Sequence, residues 1–227
     1  MSRILKCDYY DLLDITSVKG QIVTIDAIGT QTAIAEKIKK GKGDYALAVK
    51  GNQPTLFGDI SLYFADGEFA EKLKAQGFYS RHVEKARSQV EVREYFQTDD
   101  IKWLSGRSKW KGLQTIGMVR TACESEKGKT AEIRYFISSL PPDLGLFSKS
   151  VRGHWAVESM HWHLDVTFRE DANRTREKTA AENMNIIRKL ALSILKIFDM
   201  DKKYSLKKKR VALGCGFHRF IDRLMAI

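Results

Sequence analysis

At 227 residues the chain is long enough for one large domain or a domain with an insertion, and 43% hydrophobic content lets it bury a core. Neither a membrane span nor a secretion signal is expected: no apolar run approaches roughly 20 residues, and MSRILKCDYYDLLD has no apolar signal core. With 39 Lys+Arg against 28 Asp+Glu the formal charge is +11, which suits a polyanionic partner or simply a basic soluble protein.

QIVTIDA (21–27), β-branched and bounded by Gly20 and Gly29, predicts a buried strand. TQTAIAEKIKK predicts an amphipathic helix ended by Gly41 and Gly43, and DYALAVK (44–50) a second buried strand. Strand, helix, strand is a βαβ unit with parallel strands. NQPTLFGDISLYFA starts a further helix, with Asn52 as cap and Pro54 in its first turn. The segments 88–98, 113–125 and 130–140 alternate apolar and charged residues and read as antiparallel, half-exposed strands, the last two joined by a turn at Gly128. PPDLG (141–145) marks a boundary, and 178–198 carries a long amphipathic helix. The domain reading is therefore 1–78 a βαβ core, 79–140 a β-rich insertion, and 141–227 a helical part with a basic tail. That tail has eight Lys/Arg from residue 200 onward, including KKKR at 207–210, placed to touch phosphates or to be solvated. The scattered Cys7, Cys123 and Cys215 form no CxxC and suit free thiols in a reducing compartment.

The stretch HWAVESMHWHLDVTFREDANRTR (154–176) gathers three of five histidines and two of four tryptophans with Glu158, Asp165, Glu170 and Asp171. As a helix over 149–168 it would put His154, Glu158, His161 or Trp162, and Asp165 on one face, and it is apolar enough elsewhere to be expected buried. A carboxylate there needs a cation or hydrogen bonds; pairing of Glu158 with Arg152 or a histidine is the structural explanation. Glu158-x-x-His161 is half of a di-iron motif with no second half, and His154, His161 and His163 lack an HExxH pattern for zinc. Asp26, at the carboxyl end of its strand, is either a helix cap or one member of an oxygen-ligand site for Mg²⁺ (or Mn²⁺) shared with Glu158, suited to phosphodiester cleavage. Lys50, Asn52 and Gln53 end the second strand and could contact a phosphate, or Asn52 simply caps. Trp155 and Trp162 read as base-stacking or as core residues. Arg152, Arg169, Arg174 and Arg176 could position a DNA backbone, or Arg174 and Arg176 could pair with Glu170 and Asp171.

GQIVTIDAIGTQTAIAEKI, GDYALAVKGNQPTLFGDI, SKWKGLQTIGMVR and VRGHWAVESMHWHLDVTFREDANRTREKTAAENM resemble, in order, the ISAs1 family of insertion-sequence transposases. That family includes the H-repeat-associated proteins and belongs with the IS4-like DDE transposases. The resemblance implies an α/β fold: an RNase H-like core, incomplete at the N-terminus, with a β-rich antiparallel insertion and C-terminal helices. It implies a catalytic Asp, Asp, Glu set whose second Asp matches Asp26 in TIDA and whose Glu matches Glu158 in HWAVES. Ser159 stands where the family has Asn. The first Asp is expected on an earlier strand, ahead of where this chain begins, and the role does not transfer to Asp8, Asp11 or Asp14. By resemblance the chain is a truncated, inactive DDE transposase with weak or lost Mg²⁺ (or Mn²⁺) binding. The expected partner is double-stranded DNA at transposon ends, with His154 also near the DNA. The chain is expected to form a homodimer or to pair with full-length transposase in a bacterial cytoplasm, near the nucleoid. The alternative is a non-catalytic DNA-binding remnant.

Overall fold

A computed structural model describes residues 4–86, 89–126, 128–200 and 204–225, in a chain that divides into two compact units, residues 1–154 and 155–227. The first unit opens with helix α1 (Ile4–Ile15). Gly20 then turns at φ +70°, a conformation glycine adopts without Cβ strain, and its N–H donates to the Lys42 carbonyl. The β-branched run Ile22–Ile25 extends as β1, and Asp44–Val49 lies beside it as β2, parallel, with Ile22 opposite Asp44. Helix α2 (Thr32–Lys40) connects them and buries Ile34, Ala35 and Ile38. The expected βαβ unit is present.

Four more strands extend the same sheet: β3 (Tyr79–Ala86), β4 (Gln89–Thr98), β5 (Thr115–Ser125) and β6 (Gly128–Ser138). The order is β1-β2-β6-β5-β4-β3, with every pair except β1–β2 antiparallel. The strands expected as an insertion thus continue the βαβ sheet through the β2–β6 pairing, where Ala46 opposes Ser138. β3 was not anticipated: Tyr79–Ala86 contains three charged residues and a histidine and has little apolar alternation, and it is a strand because β4 offers it a complete antiparallel edge.

β2 is buried along nearly all of its length, and its two faces differ in size. Tyr45, Leu47 and Val49 join the main core with Leu56, Ile60 and Phe64 of α3 (Pro54–Ala65). Ala48 faces a second cluster with Tyr95, Val119, Phe136, Phe147 and Val151. Period-two alternation, large on one face and small on the other, lets a helix approach closely on the alanine side. Helix α4 (Gly67–Ala75) follows α3, with the Asp66 carboxylate accepting from Glu68 N at 2.9 Å.

After Pro141 the chain enters the long helix α5 (Leu144–Phe168), whose first turn is capped by Asp143 Oδ1 accepting from Leu146 N at 2.8 Å. Its start carries Phe147 and Val151 into the second cluster. Gly117 of β5 makes room there, because a Cβ at that position would run into the Phe147 ring.

In the second unit, α6 (Lys178–Ile197) is capped by the Glu177 carboxylate, which accepts from Thr179 N and Ala180 N; those bonds hold Glu177 below its ordinary pKa. Leu195, Phe198, Met200 and Leu213 make a small core with Phe168 and Phe220, between α6, α7 (Leu206–Cys215) and α8 (Phe217–Met225). KKKR at 207–210 is split in role. Lys209 Nζ donates to the Leu195 and Phe198 carbonyls at 3.2 and 2.6 Å, closing the end of α6, and Arg210 donates to the Thr167 carbonyl. Lys207 and Lys208 are exposed.

Candidate functional site

Asp26 immediately follows β1, at the carboxyl end of the parallel pair. In open α/β sheets that end is where helix amides and loop side chains converge. Its backbone begins a short 3-10 turn, Ala27–Gly29, yet its side chain makes no capping hydrogen bond there. The capping explanation therefore fails, and the carboxylate, 59% exposed, points elsewhere.

Its partner is His154 of α5. His154 Nε2 lies 3.3 Å from Asp26 Oδ1, and Nδ1 lies 3.2 Å from Thr24 Oγ1. With the ring proton on Nε2, facing the carboxylate, Nδ1 accepts from the Thr24 hydroxyl. Thr24 and Asp26 are two residues apart, on one side of the extended chain, which is why one imidazole bridges both. The second carboxylate oxygen of Asp26 has no partner among the described residues and is available to a ligand.

The turn behind Asp26 is held by side chains singled out as phosphate contacts. Asn52 Nδ2 donates to the Ala27 carbonyl, and Gln53 Nε2 donates to the Thr30 carbonyl at 3.0 Å. Thr30, fully buried, donates its hydroxyl to the Ala48 carbonyl at 2.6 Å. The N-cap position of α3 falls on Gln53, with Pro54 following at the helix start, so the capping role expected of Asn52 moves one residue and neither amide caps. Lys50 is exposed at the end of β2. Sequence reasoning missed Thr24 and Thr30; the available signal for Thr24 was its i, i+2 relation to Asp26.

Glu158 lies on α5 by its backbone, and its side chain is outside the described residues. Arg152 is exposed and donates to Glu84 Oε1 at 2.6 Å. Arg169 takes a left-handed backbone, φ 54°, that ends α5, and Arg174 and Arg176 are exposed. None of these last three has an ion-pair partner among the described residues. Glu170 instead accepts from Asn185. Trp155 is partly buried. Trp162 is 57% exposed and meets His163 edge-to-face at 4.9 Å, so it is no core residue, and the expectation that this part of the helix is buried does not hold. Among the described residues there, Leu164 and Thr167 are buried, while His161, Asp165 and Val166 are exposed. Burial and the charge of Lys196 hold His163 below its ordinary pKa. No group of three His, Cys, Asp or Glu able to hold a metal exists among the described residues, which leaves the zinc arrangement without support.

A transposase DDE domain family matches residues 9–194, and the chain belongs to that family. It is 36% identical over 209 residues to "Putative transposase YncI" of Escherichia coli O157:H7, covering 90% of this chain and 53% of that protein. It is 33% identical over 208 residues to "H repeat-associated putative transposase YhhI" of Escherichia coli K12, covering 87% of this chain and 54% of that one. The chain spans about half the length of these relatives. No described helix is long and apolar enough to cross a membrane.

Proposed function

We propose that the chain carries part of the catalytic region of an insertion-sequence transposase of the ISAs1 group, built on an RNase H-like core, and that Asp26 and Glu158 are two of its acidic residues. The observation that carries this reading is the Asp26 carboxylate: exposed, at the carboxyl end of a parallel strand, free of any capping bond, and oriented by His154. The net charge of +11 supports duplex DNA as the partner.

Asp26 fits a hard divalent cation of the Mg²⁺ or Mn²⁺ type, because an ionised oxygen with one lone-pair side unused is the donor such ions prefer. When bound, the cation would make a water more acidic and offset the charge that develops on phosphate. The chain's own contribution is orientation. His154 fixes the carboxylate through one oxygen, Thr24 fixes the ring, and Asn52 and Gln53 fix the turn behind it. In the reaction, water attacks a phosphorus at the element end and the P–O3′ bond breaks, leaving a 5′-phosphate and a 3′-hydroxyl. That hydroxyl then loses its proton and attacks a second phosphodiester, whose own P–O3′ bond breaks as the departing 3′-oxygen is protonated.

The test is cleavage of a duplex carrying the element's terminal sequences, with Mg²⁺ or Mn²⁺, alongside anisotropy across a salt series. Cleavage abolished by Asp26→Asn supports the catalytic assignment. Salt-dependent binding without cleavage assigns the chain to DNA holding, or to pairing with a complete transposase. Loss of neither on Asp26→Asn refutes the role given to that residue.

A further inference from the structure

A second site lies apart from Asp26, within the first unit. His82 and Glu84 of β3, Arg93 and Tyr95 of β4, and Ser148, Lys149 and Arg152 at the start of α5 line a cleft of about 130 Å³. One water needs only about 10–15 Å³, so a tetrahedral oxyanion fits with room for water. Two guanidiniums and an ammonium face a single carboxylate across it.

The arrangement of that carboxylate carries the argument. Glu84 Oε2 accepts from Arg93 Nη1 at 3.1 Å, and Oε1 accepts from Arg152 Nη2 at 2.6 Å. The two guanidiniums thus converge on two oxygens of one anionic group, the geometry in which arginine pairs grip phosphate. The Arg93 side chain is 7% exposed and anchored on its other side by Glu91 Oε1 at 2.5 Å, so its position is set by the sheet and does not depend on Glu84 alone. Glu84 by contrast is half exposed, on an edge strand, and can swing to solvent. Lys149 is exposed at the rim and has no ion-pair partner among the described residues. His82 stacks edge-on against Tyr95 at 5.6 Å and closes one wall.

We propose that this cleft is a phosphate-binding subsite, in which a backbone phosphate of DNA takes the place of the Glu84 carboxylate between Arg93 and Arg152, with Lys149 at the rim. The assignment of the phosphate to DNA rests on the transposase reading; the oxyanion site itself does not. Glu84 is the occupant of the empty state. It bridges the two arginines until a better anion arrives, and its displacement leaves the β3–β4 strands and α5 bridged through the bound phosphate.

The test uses the whole chain and inorganic phosphate, followed through the Arg side-chain Nε–H resonances of Arg93 and Arg152, with sodium chloride of matched ionic strength as control. Saturable shifts of both resonances are expected. Glu84→Gln should tighten binding by about fivefold, because it removes the competing charge. Lys149→Ala should weaken it by about two- to fivefold, the effect of an exposed ion pair. Lys149 is exposed, so this variant keeps the test decisive if Glu84→Gln does not fold. Shifts no larger than those in chloride overturn the subsite and leave Glu84 as a structural clamp. A short duplex is then added. If it moves the same two resonances, and Lys149→Ala lowers the salt slope of its binding by about 0.9, the phosphate belongs to DNA. A duplex that binds while leaving both resonances unmoved overturns the assignment of this subsite to DNA, but not the DNA reading of the chain. Phosphate binding with no duplex binding overturns the DNA assignment alone.

Discussion

His154 and Asp26 meet at 3.3 Å although one stands on a long helix and the other at a strand end. The contact makes the imidazole a support for the carboxylate, and it separates two kinds of loss. If the chain cleaves element-end DNA as proposed, Asp26→Asn should abolish that cleavage. His154→Ala should cost about 10–100-fold, the usual effect of removing a residue that orients a ligand. Mn²⁺ binding followed by electron paramagnetic resonance should weaken in both variants while circular dichroism stays unchanged. Full activity in His154→Ala would end the support role.

The turn after Asp26 depends on two amides from the start of α3. Asn52→Ala and Gln53→Ala each remove one hydrogen bond to a backbone carbonyl, worth about 1 kcal/mol. The clearer effect is local. Amide exchange at Gly29 and Thr30 should accelerate in both variants, with global unfolding shifted little. Unchanged exchange at those two amides would show the turn to be held by its own backbone bonds.

Gly117 is a test of packing. Gly117→Ala should destabilise the first unit by about 1–3 kcal/mol in urea unfolding, because the added methyl meets the Phe147 ring and both lie in a filled cluster. Gly117→Ala combined with Phe147→Leu should recover part of the loss. Additive losses would show that the two sites do not share the space.

Asp44 links stability to pH. Burial pushes its carboxyl up, but hydrogen bonds from Lys39 at 2.6 Å and Ser139 at 2.7 Å outweigh this, and the net shift is downward from 3.8. With the folded value below the unfolded one, the native state binds fewer protons in that interval. The stabilisation is therefore complete above the unfolded value and is lost as pH falls through the folded value. Asp44→Asn should flatten the acid side of the stability profile below about pH 4. An unchanged acid limb would place the linkage on other carboxylates, of which Glu94, held down by Arg120 and Tyr79 against its own burial, is the next to substitute.

Lys209 and its neighbours should separate structure from charge. Lys209→Met leaves the α6 carbonyls of Leu195 and Phe198 without their shared donor and should cost the second unit about 1 kcal/mol. Lys207→Ala and Lys208→Ala should leave stability unchanged. If these two lysines touch DNA, each substitution should lower the salt slope of duplex binding by about 0.9.

Local pattern was enough for the elements that carry their own periodicity. The β-branched run before Asp26, the parallel pair, the hairpin at Gly128 and the amphipathic helix from Lys178 were all legible, because side-chain alternation and glycine punctuation are properties of neighbouring residues. So was Asp26 as the residue to examine. The rest was settled between distant segments. β3 is a strand only because β4 pairs with it, and no spacing within Tyr79–Ala86 could announce that. His154 lies against Asp26, Asn52 and Gln53 tie the loop behind it, and half of KKKR is drawn inward to helix carbonyls. A polar side chain's role is fixed by whichever unsatisfied donor or acceptor lies within about 3 Å of it, and across more than a hundred residues only the folded chain decides which that is.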